Sequence, residues 1–163
     1  MKILCSLNKV SFKKTLVANC SVIKKDNTKV PCSIYDLNQH DDSDYFEKIS
    51  NKSDWNGARY LCYLKEDLAE LDEKPDRKIY VLEGNNLDCL GYSEVLYCND
   101  NKNEILFLET VPTQNFSSRR KASFKYIGET LLSFIVKQSK EQKVKSVELQ
   151  ATVASINFYK DKC

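Results

Sequence analysis

The sequence predicts an α/β fold of the α+β kind: a mixed, mostly antiparallel central sheet with flanking helices and one βαβ unit. Three observations predict it. Residues 78–83, 89–98 and 104–111 are consecutive apolar runs parted by short polar turns, and short turns join antiparallel neighbours. Residues 126–142 carry apolar side chains at helical spacing. A last run alternates Val147 and Leu149, and a strand–helix–strand crossover places its two strands parallel and right-handed.

The elements follow in chain order. Residues 3–7 and 16–23 read as short strands, and the polar stretch 24–28 as a turn. β-branched and apolar residues make 30–37 a strand, and 38–43 is polar enough to be a loop. Asp44 is a candidate N-cap for a helix with Tyr45, Phe46 and Ile49 on its apolar edge. Ala58, Leu61, Cys62, Leu64, Leu68 and Leu71 recur at helical spacing, and Pro75 ends that second helix. The meander then runs through a hairpin turn at Gly84-Asn85-Asn86 and a polar turn at 99–103, and Pro112 stops its last strand. A polar, basic connection over 113–125 leads to the long helix, with Ile127, Leu131, Leu132, Ile135 and Val136 facing inward. A strand over 145–151 and a helical segment over 155–162 close the chain.

A chain of 163 residues suits one domain and can bury a core without disulfides or metal. The apolar share is 42% and the charged share 29%, ordinary for a globular protein. With 25 basic against 23 acidic residues, the charge balance carries no footprint for nucleic acid. None of the seven cysteines forms a C-x-x-C pair and His40 is the sole histidine, so no metal site is expected. Scattered cysteines in odd number fit reduced thiols. No secretory signal and no bilayer-length apolar run is present, so no membrane is expected and a cytoplasmic location is.

The candidate chemistry centres on Tyr126-Ile127-Gly128-Glu129-Thr130. A glycine in the first turn of a helix after a strand lets backbone approach a ligand, and the uncommitted N–H groups with the helix dipole favour an anion such as pyrophosphate. A packing glycine would look the same. Arg119, Arg120, Lys121 and Lys125 could meet phosphates there, or form a solvated basic loop.

From about Val30 to Cys163 this order resembles the GNAT superfamily of N-acetyltransferases. In that family a strand ends near a proline, and a loop of pattern Q/R-x-x-G-x-G/A binds the acetyl-CoA pyrophosphate. A helix and a splayed parallel strand follow, and then a helix reading A-x-x-F-Y-x-x-x-G-F. Gly128 matches the last glycine of the loop, and Thr130-Leu131-Leu132 the start of its helix. Ala154 to Cys163, with Phe158-Tyr159, matches the terminal helix up to the G-F position. Leu90-Gly91-Tyr92 resembles the I/V-G-Y/F step of the third strand. Ser123 stands where Gln or Arg is usual and Tyr126 where the first glycine is usual, and the loop is longer than common. A typical member continues into one more strand. The N-terminal strands, which are extra to the family pattern, could complete the sheet, or a second copy in a homodimer could.

The resemblance implies transfer of an acetyl (acyl) group from acetyl-CoA to a small-molecule or protein amine by direct attack. Thr110, Val111, Lys125, Tyr126, Ile127, Gly128, Glu129, Thr130 and Asn157 would bind the cofactor. Main-chain N–H groups near Thr110 and Val111 would meet the thioester carbonyl. Tyr159 would protonate the departing thiolate, its alternative being a packing role beside Phe158. Glu109 and Glu104 are the candidate bases, with Glu83 and Glu94 in reserve. The two main candidates stand five residues apart, so strict alternation puts them on opposite faces unless a bulge intervenes. Asp41, Asp42 and Asp44 could line a cleft for a cationic acceptor, or form a solvated loop. Two other readings compete: a catalytically inactive GNAT-fold domain that binds CoA or a protein partner, and an interaction module using the basic stretch 119–125.

Overall fold

The computed structural model describes residues 14–37, 45, 55, 66, 70–84, 88–98, 101–111, 124–151 and 156–160. The strand expected at 3–7, both helices expected between 44 and 71, Asp41, Asp42, Asp44 and the basic residues 119–121 lie outside the described residues, apart from Tyr45, Leu71 and isolated positions between them.

Strands β1 (Thr15–Lys24), β2 (Lys29–Leu37), β3 (Arg77–Glu83), β4 (Cys89–Tyr97) and β5 (Lys102–Thr110) form the antiparallel meander. β6 (Phe124–Lys125) and β7 (Ser146–Leu149) complete a seven-stranded sheet ordered β6-β1-β2-β3-β4-β5-β7. β7 is parallel to β5 and reaches it through helix α1 (Ile127–Glu141), which is the expected βαβ unit. A single turn of 3-10 helix covers Leu71–Glu73, and α2 (Ile156–Lys160) follows β7. No described helix is long and apolar enough to cross a membrane.

Two expectations change. The basic connection does not run unstructured to 125: Phe124 and Lys125 pair with Lys24 and Ile23 at the edge of β1. Nor does the strand expected at 16–23 complete the sheet beside the C-terminal strand. β1 pairs with β2 on the side of the sheet opposite to β7.

The sheet divides the core in two. Side chains alternate across a strand, so cross-strand partners sort into two faces. On the first face Val22, Ile34, Tyr80, Leu82, Leu90, Val95 and Ile105 pack under Ile127, Leu131, Phe134 and Ile135 of α1. The inward residues expected from helical spacing are the ones buried, save Val136, which is only partly covered. Tyr80 meets Phe134 edge-on at 5.0 Å. On the second face Leu37, Ile79, Val81, Cys89, Tyr92 and Val111 pack with Trp55, whose indole stacks on Tyr92 at 5.4 Å.

Helix α1 is pinned at both ends. At its start, a Cβ on Gly91 would stand 2.9 Å from Ile127 Cγ2 and 3.0 Å from the Glu109 carbonyl oxygen. The bare glycine therefore sets how closely the first helical turn lies on β4. Toward its end, Asn103 Nδ2 on β5 donates to Ser139 Oγ at 2.9 Å and to Gln142 Oε1 at 3.2 Å. The helix stops with Lys143 at φ 61°, Val144 N–H bonded to Ser139 O and Lys143 N–H to Lys140 O. Those are the paired bonds of a Schellman stop. Lys145 N–H then bonds Asn101 O at 2.8 Å and starts β7 alongside β5.

Candidate active site

The register of β5 decides the geometry. Val95 pairs with Ile105 and Glu94 pairs with Phe107, so Leu106 is an extra residue and β5 is bulged there. The bulge shifts the alternation by one. Glu104 pairs with Leu96 and Glu109 with Tyr92, and Leu96 and Tyr92 lie four residues apart on β4. Both glutamates therefore lie on the second face, away from α1. The intervening bulge that would place them together is present.

The same bulge marks where β5 and β7 part. β7 pairs with β5 only from Lys102/Ser146 to Ile105/Leu149, and a bulge bends its strand away from the regular ladder. The stretch from Leu106 to Thr110 continues along β4 with no further pairing to β7. Val111 N–H donates to Leu90 O at 3.0 Å. Val111 is thus engaged toward β4, which corrects the expectation that its N–H faces a thioester. Bonded and non-bonded pairs alternate in an antiparallel ladder. Leu90/Val111 and Tyr92/Glu109 are then the bonded pairs, and Thr110 and Leu108 direct their main-chain N–H groups the other way, toward the side from which β7 has departed.

The start of α1 lies over β4 at Gly91, next to β5. Tyr126 precedes the helix at φ 69°, in the left-handed region, with its ring half exposed. A bulky residue adopts that conformation at a cost. It stands where the resembled pattern has its first glycine, and the backbone shape explains why glycine is usual there. The Tyr126 side chain does not cap the helix start, and the first N–H groups of a helix have no intrahelical partner. Thr130 is turned inward, its hydroxyl and N–H both on Tyr126 O at 2.7 and 2.9 Å. Gly128 and Ile127 are buried beneath the turn and Glu129 is half-buried in it, where its charge favours the dipole. Lys125 does not face the mouth: it is exposed on β6 and donates to Asn27 Oδ1 at 3.1 Å. Asn157 is exposed in the first turn of α2.

Glu109 is 9% exposed and accepts a hydrogen bond from the Tyr92 hydroxyl. Glu104 is partly exposed. The two reserve carboxylates have other commitments. Glu94 is fully buried and paired with Arg77 at 2.8 Å. Glu83 is buried and paired with Lys14, and accepts from the Tyr45 hydroxyl. Burial first, then the Cys89 and Glu83 charges, holds the Tyr45 phenol protonated far above its ordinary range. Tyr159 packs against the α1-side cluster, so it and Glu109 approach from opposite faces of the sheet. Tyr92 is visible only as part of the Leu90-Gly91-Tyr92 step, and the sequence offers no signal for Trp55, Arg77 or Lys14, because their roles come from partners distant in the chain. Among the described residues no cluster of metal-binding side chains occurs.

A groove of about 630 Å³ runs between β1 and α1, lined by Val17, Asn19, Tyr126, Thr130, Phe134 and Lys137 among others. It occupies the β1 flank of the helix, whereas β5 and its open edge lie on the other flank.

This architecture is the fold of GNAT acetyltransferases. PaiA N-acetyltransferase from Thermoplasma acidophilum, solved in complex with coenzyme A, matches with TM-score 0.54 and 21% identity over 80% of this chain and 86% of that one. A GNAT family acetyltransferase from Staphylococcus aureus matches with TM-score 0.54 and 16% identity over 74% and 87%. A transcriptional regulator from Bacillus halodurans matches with TM-score 0.55 and 14% identity over 80% and 91%. No family model matches the sequence, and no curated protein does.

Proposed function

We propose that the chain is an N-acyltransferase that moves an acetyl group from acetyl-CoA to an amine by direct attack. The observation that carries this reading is the parting of β5 and β7 beyond Ile105 and Leu149. It leaves the β5 main chain beyond Leu106 paired to β4 on one side and no longer to β7 on the other, near the start of α1. These residues fit a thioester with a diphosphate. The N–H groups around Gly128 would hold the diphosphate, and the edge of β5 would hold the amide-bearing arm as an added strand would be held.

Bound acetyl-CoA supplies an activated acyl group. The chain supplies the rest. A main-chain N–H of β5 beyond its bulge would serve the developing oxyanion charge. Glu109, oriented by the Tyr92 hydroxyl, takes the proton from the attacking amine on the second face. Tyr159, on the α1 side, gives a proton to the departing thiolate. On this reading the two proton-handling groups act from opposite faces of the sheet.

Calorimetric titration with acetyl-CoA, paired with thiol release over an amine panel, tests the proposal. The expected result is saturable binding and thiol release that depends on added amine. Binding without amine-dependent release would favour the inactive, CoA-binding reading, and absence of binding would remove both.

A further inference from the structure

The second face carries a built cation site that takes no part in the proton transfers proposed above. Lys14 Nζ lies 4.6 Å from the centroid of the Tyr35 ring and 4.9 Å from that of Tyr45, and it is paired with Glu83 Oε1. Tyr35 is opposite Val81, and Glu83 follows two residues along the same strand, so ring and carboxylate project from one face. The Glu83 side chain is 2% exposed, and its second oxygen, Oε2, is buried with no hydrogen-bond partner among the described residues. Two aromatic faces and a desolvated carboxylate are the elements that recognise a primary ammonium. Here the ammonium is the chain's own, delivered by the residue that immediately precedes β1.

We propose that Tyr35, Tyr45 and Glu83 form a binding site for an alkylammonium ligand, held closed by Lys14 as an internal competitor. Lys14 and an alkylammonium carry the same three donors, but an untethered ammonium can shift within the site and serve Oε2 as well as Oε1. Glu83 on β3 and Glu109 on β5 share the second face with β4 between them, two strand spacings or about 10 Å apart across the sheet and two residues, about 7 Å, offset along it. If the transferase reading holds, on which only this last step rests, the acceptor is an amine with a second positive charge. One ammonium would displace Lys14 while the other amine reaches Glu109.

The alternative is a structural ion pair, in which removing Lys14 merely strands a buried charge. Thermal shift and calorimetry without any CoA separate the two and leave the transferase question aside. n-Butylammonium and 1,4-diaminobutane serve as probes and n-butanol as the neutral control. Lys14→Ala should bind both amines saturably, and about tenfold more tightly than the unchanged chain, whose own lysine must first leave. The double variant Lys14→Ala with Glu83→Gln should bind neither. Should Lys14→Ala fail to fold alone, refolding in n-butylammonium should restore it. The proposal is overturned if Lys14→Ala shows no saturable response, if the double variant responds equally, or if the amine does not rescue a variant that fails to fold.

Discussion

The two faces of the sheet are built on different principles. Under α1 the buried side chains are almost all apolar, and the polar clamp from β5 to the helix, Asn103 to Ser139, sits at the helix end. On the opposite face Glu83, Glu94 and Glu109 are each buried and each held by a partner: Lys14 with Tyr45, Arg77, and Tyr92. Buried carboxylates are costly unless compensated. A face that carries three of them beside a stacked Trp55–Tyr92 pair gives up stability that the α1 face supplies. One side holds the fold together and the other is reserved for charge.

This contrast can be broken most forcefully at Glu109. Glu109→Gln keeps the shape of the side chain, so the folded state should survive. Amine-dependent turnover should fall by about two to four powers of ten with acetyl-CoA affinity unchanged. A variant that keeps its turnover would move the base elsewhere on that face, Glu104 first. The reciprocal change is Leu131→Ala under α1, at a fully buried position. It should cost about 2–5 kcal/mol in denaturant unfolding, and the surviving folded fraction should retain its turnover per molecule.

Gly91 joins the two regions, being on β4 beneath the first turn of α1. Gly91→Ala drives a methyl toward Ile127 and the Glu109 carbonyl, and overpacking of this kind costs about 1–3 kcal/mol. Because it lifts the helix mouth, it should also weaken acetyl-CoA binding, which Leu131→Ala should do far less. Equal effects of the two on binding would separate the mouth of α1 from the cofactor.

The smallest effect is a pH dependence on the α1 side. Cys20 and Cys32 are directly opposite on β1 and β2. Burial first, then the neighbouring Cys32, pushes the Cys20 thiol up from its ordinary 9.0 to about 11. The folded chain therefore keeps a proton that the unfolded chain loses. Its contribution to stability is complete below pH 9.0 and declines as pH rises through about 11. Unfolding free energy should fall slightly over that interval, and Cys20→Ser should flatten the fall. An unchanged slope in the variant would assign the decline to other groups.

Much of this fold was readable in the residues. The turns at Lys24–Thr28 and around Gly84, the helical spacing of Ile127, Leu131 and Ile135, and the alternation of Val147 with Leu149 are local signals, and each element stands within a few residues of where they put it. The missing part is non-local. Nothing in Glu104-Ile105-Leu106-Phe107-Leu108-Glu109 announces that Leu106 is a bulge, because the extra residue is defined only against β4. Alternation alone therefore left open which glutamate faces the acceptor. Tyr126 hides its left-handed backbone behind a residue type that rarely adopts it. The partners of Glu83, Glu94 and Glu109 come from 69, 17 and 17 residues away, beyond any spacing rule.

Amide hydrogen exchange with and without saturating acetyl-CoA tests the central claim most directly. Protection should appear at residues 106–110 and 126–130 together, with β1 and β2 unchanged. Protection at 17–20 and 133–138, which line the groove between β1 and α1, with none at 106–110, or protection at neither stretch, would contradict a cofactor seated where β5 and β7 part.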